Sequence, residues 1–182
     1  MLLLDQNRGR WDRILIQRGL AALARAESLG GARGPYALQA AIAACHARAL
    51  TPEATDWPRI AALYAALAEV TPSPVVELNR AMAISMAFGP EAGLAIVDAL
   101  TAEPARAGYH LLSSARGDLL ARLGRFEEAR VEVERAASLT RNARERDLVM
   151  ARAEALSKSG GPERLPGVNS PTTGSTTSRR TP

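Results

Sequence analysis

The sequence is short of the residue types on which most active sites, metal centres and disulfide frameworks depend. Its 182 residues include one cysteine, Cys45, and two histidines, His46 and His110. A single cysteine excludes an internal disulfide and is usual in a reducing compartment. The three side chains are too few for a structural zinc site and do not indicate a nucleophile–histidine pair. We therefore expect no enzyme, no metal and no cofactor.

Aromatic residues are also scarce, at 4% of the chain, although 47% of the chain is hydrophobic. The apolar residues are mainly alanine and leucine, which favour helices, whereas residues typical of strands are few. No segment alternates apolar and polar residues between hairpin turns, and no glycine-rich phosphate-binding loop follows a strand. The composition predicts an all-α protein with an aliphatic core.

The excess of positive charge is small and lies almost entirely at one end of the chain. The net charge is +4, and residues 157–182 hold the bases Lys158, Arg164, Arg179 and Arg180 against the single acid Glu163. Basic and acidic residues nearly balance elsewhere. Since phosphate binding needs lysines and arginines clustered on a folded surface, we expect no direct, specific DNA contact from this chain.

Long apolar runs are missing as well. The three leucines after Met1 are followed at once by Asp5, which is too short an apolar run for a signal peptide. No window approaches the roughly 20 apolar residues that a membrane-spanning helix needs. We expect a cytoplasmic protein without a membrane partner.

Proline and glycine indicate where the helices begin. Gly34-Pro35, Ser73-Pro74 and Gly89-Pro90 each place proline in a first helical turn, where its missing N–H costs little. The predicted helices, about eight in number, are residues 8–29, 35–49, 57–70, 74–87, 90–101, 105–122, 125–139 and 142–157. Their short connections predict antiparallel helical hairpins. The final segment, 157–182, is rich in Pro, Gly, Ser and Thr and is predicted to be a disordered tail.

Three pairs of helices carry signs of a tetratricopeptide-like repeat, which has a period near 34 residues and small residues where paired helices cross. In the last pair, Gly117 and Ala129 are the small residues, and Gly124 marks the turn. Earlier copies are centred on Ile60 and Ala92. We predict a short solenoid, with residues 1–33 as an N-terminal segment and first helix and residues 34–156 as the repeats.

Such a solenoid exposes a concave surface lined by the first helix of each pair. The first helices here are 35–49, 74–87 and 105–122. Their polar residues are candidate contacts with a protein partner, and they are Gln39, His46, Asn79, Arg80, Arg116 and Asp118. An ordinary solvated helix surface is the alternative for each of them.

Five segments resemble a known family. They read LLLDQNRGRWD from Leu2, GPYALQAAIAA from Gly34, TDW from Thr55, SPVVELNRA from Ser73 and GYHLL from Gly108. In this order, over about residues 1–156, they resemble the C-terminal tetratricopeptide-like extension of a group of bacterial extracytoplasmic-function (ECF) sigma factors. The resemblance implies a regulatory domain in transcription initiation, which contacts the promoter-binding domains in cis, RNA polymerase or a protein regulator.

The opening segment of that family reads LLxxDQDRSxWD, from which Asn7 and Gly9 depart. The residues that match are Gln6, Arg8, Trp11 and Asp12, and the resemblance implies that they dock on the sigma core. Packing against the first hairpin is the alternative for Trp11. The promoter-binding regions of the family would precede Met1 and are expected to lie outside this chain. A free-standing helical-repeat scaffold that binds a peptide or protein is the alternative function.

Overall fold

A computed structural model describes residues 6–103, 108–140, 146–147 and 151, and this part of the chain contains helices and no strand. The all-α prediction is therefore confirmed. The seven α-helices are α1 (Arg13–Ser28), α2 (Pro35–Arg48), α3 (Trp57–Val70), α4 (Pro74–Phe88), α5 (Pro90–Thr101), α6 (His110–Arg122) and α7 (Phe126–Leu139), with 3-10 turns at Arg8–Arg10 and Gly31–Arg33. The predicted eighth helix lies largely outside the described residues, and the predicted tail lies wholly outside them.

Most helices begin where the sequence indicates. Proline occupies the first position of α2, α4 and α5 and the second position of α3. Asp56 caps α3 by accepting a hydrogen bond from the backbone N–H of Arg59 at 3.0 Å. Ser73 caps α4 in the same way, at 3.3 Å from the N–H of Val75. These caps satisfy N–H groups that have no partner within the helix.

The first helix begins later than predicted. Arg8–Arg10 form a separate 3-10 turn, and Trp11 is extended, with φ −72° and ψ 143°. Asp12 then accepts hydrogen bonds from the backbone N–H groups of Ile14 and Leu15, at 2.9 and 3.0 Å. An aspartate in this position starts a new helix, so α1 begins at Arg13. The sixth helix also begins later, at His110 rather than at 105, and residues 104–107 lie outside the described part.

Each helix packs against the next, and α4 also contacts α6. A core of aliphatic side chains joins α4 to α7, with Leu119 and Leu120 fully buried. A second cluster around Ile60 joins α2, α3 and α4. Burying each such side chain stabilises the fold by about 1.5–3 kcal/mol. The result is the predicted series of stacked helical hairpins.

Glycines allow the closest helix crossings. A β-carbon on Gly117 would lie 2.8 Å from Cγ2 of Val133 and 3.2 Å from the carbonyl oxygen of Ala129, so the predicted crossing of α6 and α7 is confirmed. In the middle pair the crossing falls on the residue that follows Ala92. Gly93 is buried at the crossing, where its β-carbon would lie 2.5 Å from Cβ of Ser85, whereas Ala92 is half-buried.

The first helix packs less completely than its pattern predicts. Leu23 is buried against Ala41 and Ala44 of α2, and Leu20 is half-buried beside it. Ile14 and Leu15, although apolar, are 63% and 61% exposed. Thus α1 carries more apolar side chains than its packing against α2 covers.

Candidate partner-binding groove

A groove between α2 and α4, with α3 beneath it, contains two of the predicted contact residues. Its volume is about 360 Å³, and its lining residues are Gln39, Ile42, Tyr64, Leu67, Val75, Val76 and Asn79. Gln39 projects from α2 and Asn79 from α4, which are the first helices of two successive pairs. The fold therefore brings together two residues that are 40 positions apart in the sequence.

The groove combines exposed amides with an apolar floor. Gln39 and Asn79 are exposed, and each carboxamide offers both hydrogen-bond donors and an acceptor. Leu67 is buried, while Val75 is 50% exposed and available to cover an apolar group. Burial raises the pKa of the Tyr64 phenol, which is protonated at neutral pH even without that rise. These groups can hydrogen-bond a polypeptide while covering its apolar side chains.

Arg80, Arg116 and Asp118 do not line this groove. The Arg80 guanidinium pairs with Glu77 on the same helix, with Nη2 2.7 Å from Oε2. Asp118 is half-buried on α6. Their contact with a partner stays a prediction, and for Arg80 it would compete with a carboxylate already in place.

Arg116 ties three helices together. Its Nε donates to Asp98 Oδ1 on α5 at 2.7 Å, and its Nη1 donates to Glu132 Oε1 on α7 at 2.9 Å. Burial opposes the charge on Arg116, but the hydrogen bonds and charges of Asp98 and Glu132 outweigh it and raise its pKa. Glu132 is itself buried, so the arrangement resembles an internal ion pair more than a free binding group.

Arg8 is 4% exposed and holds the N-terminal segment against the α2–α3 connection. Its Nη1 donates to the carbonyl oxygens of His46, Ala49 and Thr51, at 3.3, 3.1 and 2.9 Å. Its Nη2 donates to the hydroxyl of Thr55 at 3.0 Å. The positive charge of Arg8 at the C-terminal end of α2 also interacts favourably with the negative end of the helix dipole. We call this set of four hydrogen bonds the Arg8 clamp.

Of the other three candidate docking residues, Trp11 contacts Arg8 directly. The Trp11 ring lies below the Arg8 guanidinium, with 5.4 Å from Cζ to the ring centroid, a cation–π distance. Asp12 caps α1, and Gln6 is half-buried. For Arg8 to contact another domain it would have to leave all four of its acceptors. No local pattern could have predicted the clamp, since its acceptors lie 38 to 47 residues further along the chain.

His46 belongs to the clamp region rather than to the groove. Its ring packs edge-on against Trp57, with 5.3 Å between centroids and an interplanar angle of 77°. Its Nδ1 is buried and has no hydrogen-bond partner. Burial, together with the nearby charge of Arg8, lowers the pKa of His46. The side chain therefore favours the neutral form, and its role as a partner contact stays a prediction.

Among the described residues, no group of three or more His, Cys, Asp or Glu side chains is placed to hold a metal ion. In the same part of the chain, no helix has the length and apolar character to cross a membrane.

Comparison with known proteins relates the chain to part of a longer protein. The chain is 49% identical, over 145 residues, to an uncharacterized protein of Rhizobium meliloti (strain 1021). The match takes in 80% of this chain and 34% of the relative, so the chain spans about a third of the length of the curated relative it matches. No protein family and no solved structure matches the chain.

Proposed function

We propose that this chain is a protein-interaction and regulatory domain of an ECF-type sigma factor, which acts in transcription initiation in the bacterial cytoplasm. The observation that carries the proposal is the groove between α2 and α4, where Gln39 and Asn79 flank an apolar floor. The resemblance of five segments, in order, to the C-terminal extension of these sigma factors supplies the biological setting.

The partner is a polypeptide, provided by the promoter-binding domains in cis, by RNA polymerase or by a protein regulator. Apolar side chains of the partner pack on Ile42, Leu67 and Val75, and the amides of Gln39 and Asn79 set its position. The similarity to about a third of a longer relative is consistent with a domain that works beside others. The proposed role is binding, without a catalytic step.

The DNA upstream of Met1 provides the first test. An in-frame region that encodes a sigma-type helix-turn-helix supports the proposal. A ribosome-binding site directly before Met1, preceded by an in-frame stop codon, contradicts it.

The second test measures transcription. Run-off transcripts are made with core RNA polymerase and the full sigma factor, with and without the double substitution Gln39→Ala/Asn79→Ala. We expect altered transcript yield for the double variant and an unchanged yield for Gln17→Ala, an exposed glutamine of α1 outside the groove. Equal yields for all three proteins would argue against a regulatory role of the groove.

A free-standing helical-repeat scaffold that binds a peptide is the second candidate. The observation that favours it is that the groove is built entirely from α2, α3 and α4, so it needs no other domain to be complete. The upstream DNA distinguishes the two, because only the sigma factor requires promoter-binding regions in the same reading frame.

A further inference from the structure

A second cleft lies at the opposite end of α2 from Gln39, where α2 ends and α3 begins. Its volume is about 520 Å³, and its lining residues are Cys45, Arg48, Ala49, Leu50, Ala54, Asp56 and Arg59. It shares no residue with the groove between α2 and α4. We call it the arginine cleft.

Two arginines of this cleft differ from most of those on the later helices. Arg80, Arg116, Arg125 and Arg130 each form an ion pair with a carboxylate. Arg48 and Arg59 are both exposed. Within the described ranges, no carboxylate lies within ion-pair distance of either of them. The carboxylate of Asp56 accepts a hydrogen bond from the backbone N–H of Arg59 as the cap of α3. The rim therefore presents two guanidinium groups whose charge is not balanced by an ion-pair partner.

Both arginines act on the same point of the floor. Burial raises the pKa of the Cys45 thiol, the charges of Arg59 and Arg48 oppose that rise, and the charge of Asp56 adds to it. Arg48 on α2 and Arg59 on α3 both line the cleft together with Cys45. Guanidinium groups bind carboxylates through paired, charge-assisted hydrogen bonds, so an arginine on each side of a cleft suits a carboxylate ligand.

The remaining wall is apolar. Leu50 is 68% exposed beside the arginines, and Ala49 is buried beneath it. A ligand that fills this cleft should carry an apolar group next to its carboxylate. A nucleic acid fits less well, because no aromatic side chain lines the cleft to stack on a base.

The cleft is also held in place before any ligand binds. The α2–α3 connection supplies Ala49, Leu50 and Ala54 to its wall, and the Arg8 clamp fixes the carbonyl groups of Ala49 and Thr51 in that connection. A preformed site loses less entropy when it binds its ligand.

We propose that the arginine cleft binds an acidic peptide segment, with a carboxylate between Arg48 and Arg59 and a neighbouring apolar side chain on Leu50. This site is separate from the groove and does not depend on the sigma-factor assignment. It gives the chain two surfaces for polypeptides, one selective for amide contacts and one for acidic residues.

Fluorescence anisotropy of labelled peptides tests the proposal on the full chain. The probe has an Asp-Leu-Glu core between glycine and serine residues, and its control has Asn-Leu-Gln instead. We expect the acidic peptide to bind, the neutral control to bind at least about tenfold more weakly, and added salt to weaken the acidic complex. Arg48→Gln and Arg59→Gln should each weaken binding by about tenfold.

Matched variants test whether binding depends on the cleft itself rather than on the overall charge of the protein. Arg18→Gln removes an exposed arginine of α1 and should leave the affinity unchanged. Leu50→Ala should weaken binding without lowering the melting temperature, because Leu50 is exposed in the free protein.

Three results would overturn the proposal. One is equal affinity of the acidic peptide for the native chain and for a folded Arg48→Gln/Arg59→Gln variant. Another is loss of binding on Gln39→Ala but not on Arg59→Gln, which would place the peptide in the groove. The third is tighter binding of a single-stranded DNA oligonucleotide of equal charge through the same arginines, which would make the cleft a phosphate site.

Discussion

Gly117 on α6 lies so close to Val133 on α7 that an added β-carbon would be 2.8 Å from Cγ2 of the valine. The absence of a side chain at position 117 sets how near the two helix axes can approach. Val133 is buried, and its branched side chain has little freedom to move aside. The last hairpin of the described stack therefore depends on a glycine inside a helix, which is otherwise an unfavourable position for glycine.

We predict that Gly117→Ala destabilises the protein. Alanine gains up to about 1 kcal/mol of helix propensity, but overpacking against Val133 costs about 1–3 kcal/mol. The expected net loss is about 1 kcal/mol in the free energy of unfolding, measured by denaturant titration. Gly19→Ala is the matched control, since an added β-carbon there meets nothing within 4 Å, and this variant should be more stable than the native chain. Equal effects of the two substitutions would contradict the crossing described for α6 and α7.

We predict that Arg8→Ala destabilises the protein by roughly 1–3 kcal/mol, because it removes four hydrogen bonds and leaves buried carbonyl groups without their donor. Arg10→Ala is the control, as Arg10 is an exposed arginine of the same 3-10 turn and should behave like the native chain. Thermal unfolding followed by circular dichroism compares them. A melting temperature for Arg8→Ala equal to that of Arg10→Ala would mean that the clamp does not hold the segment.

We predict that stability falls as the pH drops from about 7.5 to 5.5, in part through His46. Burial and the charge of Arg8 lower the pKa of His46 in the folded state, below its ordinary value of about 6.5. The unfolded chain therefore takes up a proton at this residue before the folded chain does, and acidification favours unfolding. The effect is absent above the ordinary pKa and grows as the pH passes below it.

The measurement is the unfolding midpoint in urea at several pH values within that range. His46→Gln should flatten the pH dependence, whereas His110→Gln, which removes the other histidine, should preserve it. If His46→Gln and the native chain keep the same slope, the pH dependence arises elsewhere.

We predict that Arg116→Gln lowers the free energy of unfolding by about 1–3 kcal/mol, because it leaves the buried carboxylate of Glu132 without its cationic partner. Arg130→Gln breaks ion pairs on the exposed surface of α7 and should cause no measurable change. Chemical unfolding of the two variants tests the difference. Should Arg116→Gln prove as stable as Arg130→Gln, Arg116 would be free to serve as the partner contact that its position on a first helix predicts.

Local sequence patterns predicted much of the fold and two of the seven residues that line the groove. Proline at a first turn predicts a helix start without reference to any other part of the chain, and so α2, α3, α4 and α5 begin where expected. Gln39 and Asn79 were identified because both lie on first helices of a repeat. The tyrosine and leucine of the floor were not, because they belong to the second helix, which the repeat pattern assigns to the core.

The sequence does not indicate which small residue of α5 lies at the crossing with α4. Ala92 and Gly93 are adjacent and both small, so the spacing of small residues cannot distinguish them. Successive residues of a helix differ in direction by about 100°, and only the contact with Ser85 and Ala81 on α4 decides which one lies at the crossing.

The amino-acid sequence by itself determined the helical class, the places where several helices begin and the close crossing at Gly117, because these follow from the conformational preferences of neighbouring residues. Only the tertiary structure decided that Arg8 reaches the end of α2, that Arg116 is paired, and that Arg48 and Arg59 share a cleft without a carboxylate partner. An arginine looks the same in a sequence whether it is buried, paired or open to a ligand. Its state depends on acceptors and charges that folding brings from distant parts of the chain.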